Sequence, residues 1–144
     1  MGKMKYTVMA IAVGVVLALS VFLIPQATVA EECYTVRIYG LVAQSGVGSL
    51  RVEPSAVSAR QGDCIVWVNL ARAAEVRINF REGKACQSAA DVSSGFKLDQ
   101  GCFVTDYLSH GKTSSLVFKD KGTYNYDVEW KEQKIKQSGK IVVE

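Results

Sequence analysis

Short stretches of alternating apolar and polar residues, separated by turn residues, run through most of the chain after residue 32. The segment CYTVRIYG, residues 33–40, alternates and stops at a glycine. The segment AEVRINF, residues 74–80, places Val76, Ile78 and Phe80 on one face. A period of two residues indicates half-buried β-strands, and helix signals are weak throughout. The pattern therefore predicts an all-β sandwich.

Five further segments complete this prediction, at residues 50–57, 64–70, 113–118, 123–130 and 139–144. Pro54 interrupts the first of them, which suits a sheet edge or a bend because proline cannot donate to a strand ladder. CIVWVNL is a nearly continuous apolar run, so we expect it at the centre of a sheet with Trp67 in the core. Residues 82–104 show no clear period and are predicted to form a long irregular loop.

The first thirty residues have the organisation of an export signal. Lys3 and Lys5 form a basic start, residues 6–30 carry no charge, and the apolar run closes with the small residues ATVA. We expect cleavage after Ala30, which leaves one domain at residues 31–144 in the periplasm or outside the cell. The alternative is an uncleaved anchor with residues 7–24 in the membrane, because the uncharged run approaches the ~20 residues that span a bilayer.

The charge balance argues against a nucleic-acid partner. The whole chain has 17 Lys and Arg against 14 Asp and Glu, and removal of Lys3 and Lys5 leaves 15 against 14. A nearly neutral domain lacks the clustered positive field that phosphate backbones require.

The cysteine and histidine content limits the chemistry that the domain can perform. Four cysteines lie in the exported part, where an even count predicts two disulfides, and no pair has the Cys-x-x-Cys spacing. The single histidine, His110, precedes Gly111 and is expected to be a solvated turn residue. No Ser-His-Asp or Cys-His set can be built from this inventory, so we expect no enzyme. The four cysteines are Cys33, Cys64, Cys86 and Cys102.

Two parts of the domain resemble a known family. GSLRVEPSAVSARQGDCIVWVN, residues 48–69, is similar to the second and third strands of plastocyanin and related small blue copper proteins. HGKTSSLVFKDKGTYNYDVEW followed by SGKIVV resembles the end of a cupredoxin domain. The resemblance implies a Greek-key sandwich of seven or eight strands. It also implies a Cys86–Cys102 bridge across the long loop, and a Cys33–Cys64 bridge between the starts of two parallel neighbouring strands.

The copper ligands of that family are absent at the matching positions. The first histidine falls on Glu75 or Val76, the cysteine on Val128, and the second histidine on Lys131. The axial methionine falls on Gln137, which is the one replacement that copper tolerates. Without a thiolate and two imidazoles the resemblance implies no blue copper centre, and no cofactor is expected.

Two local groups remain as candidate sites. Glu75, Asp127 and Glu129 could form a carboxylate site for a hard cation, but we expect them to belong to a plain polar face instead. In the loop WKEQKIKQS, Trp130 either caps the sandwich or anchors an interface with another protein. The cations that would flank such an anchor are Lys131, Lys134 and Lys136.

The function predicted from these features is that of an exported, copper-free cupredoxin-fold domain. It would bind another, unidentified envelope protein or serve a structural role. The alternative is an electron-transfer or metal-carrying protein with a rebuilt, non-blue site.

Overall fold

The computed structural model describes residues 32–80 and 90–144, with only the backbone at 91–93. This part of the chain is all-β, and none of its segments is a helix long and apolar enough to cross a membrane. The predicted export signal lies outside it. The strands are β1 (Cys33–Val42), β2 (Gly48–Glu53), β3 (Ala56–Ala59), β4 (Cys64–Asn69), β5 (Val76–Phe80), β6 (Ala90–Ser94), β7 (Phe96–Asp99), β8 (Cys102–Thr105), β9 (Thr113–Phe118), β10 (Gly122–Trp130) and β11 (Lys136–Val143).

The strands form two sheets that pack face to face. One has the order β2-β1-β4-β9-β6 and the other β3-β11-β10-β5-β8-β7. The predicted sandwich and the central position of β4 are confirmed. The segment predicted at residues 50–57 divides at Pro54, so that β2 joins the first sheet and β3 pairs in parallel with β11 of the second.

The predicted loop at residues 82–104 is wrong where the structure describes it, because β6, β7 and β8 lie there. These strands are only four or five residues long, too short for a period to stand out. Tight turns between these strands allow all three to lie within this short segment. Gly95 has a φ of 74°, and Gln100 and Gly101 have φ of 50° and 82°. Positive φ at two consecutive residues is the requirement of a two-residue hairpin turn, which joins β7 to β8.

The core between the sheets is built around aromatic rings. Trp67, from the centre of β4, is fully buried, as predicted. Its ring centroid lies 5.8 Å from that of Phe80, 5.4 Å from that of Phe96 and 5.4 Å from that of Tyr126, all on the opposite sheet. These edge-to-face contacts add to the burial of the rings and hold the sheets in one relative position.

A disulfide ties the start of β1 to the start of β4. The two strands are parallel neighbours with Cys33 opposite Cys64, and their Cα atoms are 4.5 Å apart in the bridge. This pairing confirms the one implied by the family resemblance. Cys102 is also disulfide-bonded, but the predicted partner Cys86 lies outside the described residues.

Asp63 fixes the chain at the same end of the sandwich. Its carboxylate accepts hydrogen bonds from the backbone N–H of Arg60 at 2.8 Å and of Glu32 at 3.4 Å. The hydrogen bond from Arg60 lowers the pKa of this buried carboxyl. The backbone N–H of Cys64 donates to the carbonyl of Glu32 at 2.9 Å. The entry into β1 is therefore held by hydrogen bonds as well as by the disulfide.

Replacement of both Cys33 and Cys64 by alanine should lower the free energy of unfolding by ~3–4 kcal/mol. The bridge spans a sequence separation of 31 residues, and a loop of that length loses about this much chain entropy when it is closed in the unfolded state. Urea unfolding of the variant and of the wild type measures the difference. A loss below ~1 kcal/mol would contradict the estimate.

Candidate functional site

Asn69 holds together the connections at one end of the sandwich. Its fully buried side-chain amide donates to the carbonyls of Ala74 at 2.8 Å and Leu108 at 2.7 Å. Its side-chain oxygen accepts from the N–H of Ala71 at 2.9 Å. The segment between β4 and β5 is thereby fixed against the segment between β8 and β9. This end of the molecule contains the positions where copper ligands would fall, and we call it the ligand end.

Glu75 and Lys131, two of those positions, form an ion pair. The Lys131 Nζ lies 2.5 Å from the Glu75 Oε2, and the Lys131 backbone N–H donates to the Glu75 carbonyl at 3.0 Å. The hydrogen bond to Glu75 raises the pKa of the Lys131 ammonium, which therefore stays protonated. Val76, the other candidate for the first histidine position, is buried and exchanges backbone hydrogen bonds with Leu108. With Glu75 taken as the first of them, the two positions that the family resemblance assigns to histidines are adjacent and hold opposite charges.

Tyr107 extends the ion pair into a network. The Arg77 guanidinium carbon lies 5.0 Å from the centroid of the Tyr107 ring, and the Lys131 Nζ lies 5.2 Å from it. Arg77 also pairs with Glu129 at 3.1 Å. Both carboxylates of this network, Glu75 and Glu129, are thus already paired with cations.

The remaining ligand positions do not supply a metal site either. Val128 is fully buried in β10, where it pairs with Ile78 and Gln137. Gln137 donates its side-chain amide to the carbonyl of Ser138 at 3.4 Å. The donors available are one carboxylate bound to an ammonium and one amide, which do not fit a thiolate-imidazole centre.

Comparison with known proteins identifies similar solved structures but no similar sequence family. No protein-family model and no curated protein sequence matches the chain. Solved structures do: a reduced tryptophan-to-tyrosine mutant of amicyanin, at 19% identity, covers 82% of this chain and 88% of its own with a TM-score of 0.50. The Cu(I) form of a methionine-to-alanine mutant of amicyanin, at 21% identity, has the same coverage and a TM-score of 0.50. The chain has a cupredoxin-like fold. At this identity the likeness is one of fold only.

The predicted carboxylate site is not formed in this cupredoxin-like domain. Asp127 accepts a hydrogen bond from the Ser138 hydroxyl at 2.7 Å, while Glu129 and Glu75 have the cationic partners described above. Within residues 32–80 and 90–144, no three His, Cys, Asp or Glu side chains are grouped as metal ligands. His110 is exposed in a turn, next to Gly111, whose N–H donates to the Asn69 carbonyl at 2.7 Å.

Trp130 is not the exposed anchor that one interpretation of the sequence proposed. It is only 2% exposed and belongs to the core, whereas Lys131, Lys134 and Lys136 are exposed. Its ring covers Gly48, where an added Cβ would lie 2.6 Å from a ring carbon. Trp130 therefore caps the sandwich, because glycine leaves room for the ring beside β2.

Two features of the ligand end were not predicted from the sequence. Tyr107 and Arg77 looked like ordinary loop and strand residues, since their proximity depends on tertiary structure. The exposed apolar side chains of the β1–β2 hairpin were also missed. Their signal is the absence of any charged residue in GLVAQSGVGSL, residues 40–50.

Trp130→Ala should destabilise the domain by ~3–5 kcal/mol, because it removes a buried ring and leaves a cavity. Lys134→Ala, four residues further along the same loop and exposed, should change the stability by less than ~0.5 kcal/mol. Urea unfolding of the two variants side by side measures both values. Equal stability of the two would show that the indole is not part of the core.

Proposed function

We propose that this chain is an exported, copper-free cupredoxin-fold domain that binds another protein of the cell envelope or has a structural role there. The observation that carries the proposal is the Glu75–Lys131 ion pair, which occupies the positions of the two histidines. Val128 in the position of the cysteine removes the thiolate as well.

The ion pair also explains how the ligand end keeps its shape without a metal. A metal in this framework would connect the segment before β5 with the loop after β10. Lys131 joins the same two segments through its side chain and its backbone N–H. Such a half-exposed pair contributes only ~0.2–1 kcal/mol. Most of the rigidity comes from Asn69 and from the buried Trp130.

The alternative is an electron-transfer or metal-carrying protein with a rebuilt site. Gln137 is the only ligand position that holds a residue known as a copper ligand, and an axial amide alone does not bind copper. The donor chemistry therefore favours the copper-free function.

The exposed lysines of the loop at the ligand end support a protein-binding role. Lys134 and Lys136 are exposed and have no ion pair within the described part of the chain. The loop is held in place, because the Gln133 side-chain amide donates to the Gly46 carbonyl at 3.4 Å. Exposed cations on such a loop steer the approach of an acidic partner and set the orientation in which it docks.

We also propose that the domain is exported and that it is not an enzyme. The Cys33–Cys64 disulfide is stable in an oxidising compartment such as the periplasm or the extracellular space. His110, the single histidine of the chain, is exposed in a turn, which does not favour a role in nucleophilic catalysis. We expect an N-terminal signal that is removed after Ala30, with an uncleaved anchor as the alternative.

Titration of the purified protein with Cu(II) should leave it colourless, with no copper retained after gel filtration, because neither a thiolate nor an imidazole pair is available. A copper-binding cupredoxin treated in parallel provides the positive control. Metal analysis of protein isolated from its own compartment completes the test. One tightly held copper per chain, or an intense thiolate absorption band, would overturn the proposal.

Charge reversal at Lys134 and Lys136, to glutamate, should reduce recovery of the partner from an envelope extract at least tenfold. Binding should also weaken with added salt, since exposed charges are screened beyond ~8 Å at physiological ionic strength. Lys121→Glu is the matched control, because it precedes β10 and lies at the opposite end of that strand from Trp130. The same set of recovered proteins from all three forms would exclude the loop from the binding surface.

A further inference from the structure

The β1–β2 hairpin presents apolar side chains on the outer face of its sheet. Tyr39 lies opposite Arg51, and Leu41 lies opposite Ser49. The hairpin extends further, since the Ala43 N–H donates to the Val47 carbonyl at 2.9 Å. Alternate residues share a face of a strand, so these side chains point away from the core. We call this surface the hairpin face and define it by Tyr39, Leu41, Val47, Ser49, Arg51 and Glu53.

The exposure of the hairpin face is unusual for this domain. Leu41 is 70% exposed and Val47 is 65% exposed, and Val42 on the other side of the hairpin is 50% exposed. Next to Leu41 the face forms an open groove of about 490 Å³, lined by Tyr39, Leu41, Ser49, Leu50, Arg51 and Glu53. Clustered exposed apolar side chains on a soluble domain mark an interaction surface.

We propose that the hairpin face binds a second copy of this chain, and that the two copies are related by a two-fold axis. A two-fold contact requires a surface that is complementary to itself. The hairpin face meets this requirement, because a protruding apolar end formed by Leu41 and Val47 lies beside a groove on the same side of the sheet. Each copy can place its apolar end in the groove of the other.

The charges of the hairpin face also favour a second copy of this chain as the binding partner. Arg51 and Glu53 form an exposed ion pair on it, so one end of the face carries both a positive and a negative charge. In an antiparallel two-fold contact, each of these charges can meet its opposite on the second copy. Because the domain is nearly neutral, two copies of it repel each other only weakly. A lipid bilayer fits less well, because both members of the ion pair would lose their hydration without gaining new partners.

The size of the hairpin face sets the expected affinity. Six residues define it on each copy, whereas standard stable interfaces use about 20–30 residues on each side. We therefore expect a weak, reversible dimer with a Kd in the micromolar range or above. The inference goes beyond the proposed function and does not rest on it, because none of the lysines of the loop at the ligand end is among the residues that define the hairpin face.

Sedimentation equilibrium of the exported protein from about 1 µM to 1 mM tests the proposal. The average mass should rise from that of one chain towards that of two. Leu41→Asp should raise the Kd at least tenfold, because it places a charge in the apolar contact. Leu98→Asp is the matched control, since Leu98 is 61% exposed on β7 of the other sheet. Any association through residues 1–30 is common to all forms and cancels in the comparison.

A charge exchange distinguishes the two-fold contact from nonspecific association. Arg51→Glu alone and Glu53→Arg alone should each dimerise less than the wild type, since each presents two like charges to its copy. An equimolar mixture of the two variants should dimerise more than either variant by itself. A monomer up to 1 mM, equal effects of Leu41→Asp and Leu98→Asp, or no gain in the mixture would each overturn the proposal. So would association that appears only with lipid vesicles or with a different protein.

Discussion

The packing of the Trp67 ring against three rings of the opposite sheet is the interaction on which the rest of the structure depends. Trp67 comes from the central strand of one sheet, while Phe80, Phe96 and Tyr126 come from three different strands of the other. Large rings in edge-to-face contact have few alternative arrangements at native packing density. They therefore fix how the sheets face each other, and with that the distance between the connections at the ligand end.

A framework of this kind can lose its metal and keep its form. Asn69 satisfies three backbone groups of two connections with one buried side chain, and the cost of removing any of them would be the desolvation of an unpaired group. Trp130 fills the space beneath the hairpin. Glu75 and Lys131 need only form a simple ion pair, because the segments that carry them are held by other interactions.

Much of the fold can be predicted from the sequence, for reasons that particular strands make clear. β1, β4, β9 and β10 are at least six residues long, and their burial follows the apolar pattern, except at the exposed Leu41 and Val42 at the end of β1. The parallel pairing of β1 with β4, and hence the Cys33–Cys64 bridge, followed from the family resemblance. β6 to β8 were missed because four or five residues cannot establish a period of two, and the Gln100-Gly101 turn between β7 and β8 was recognised only from its φ angles. Of the ligand end, the sequence predicted the positions of Glu75 and Lys131 but not their pairing. It left open whether Trp130 is buried, because a tryptophan in a lysine-rich loop suits both a core and an interface. The burial of the Trp130 ring depends on Gly40 and Gly48, which have no side chains to occupy the space beside it.

The bridge at the start of β1 also determines how the domain responds to tension. A pull on the chain ahead of Glu32 reaches Cys33 first, and the covalent bond passes the load directly to β4 in the middle of its sheet. The hydrogen bonds between β1 and its neighbours are then not broken one after another, as they would be in a strand peeled from its end. Separation of the domain would require β1 and β4 to move together against their outer neighbours, β2 and β9. β1 therefore resists tension as a rigid element, and the β1–β2 hairpin at its other end keeps its position relative to the sheet.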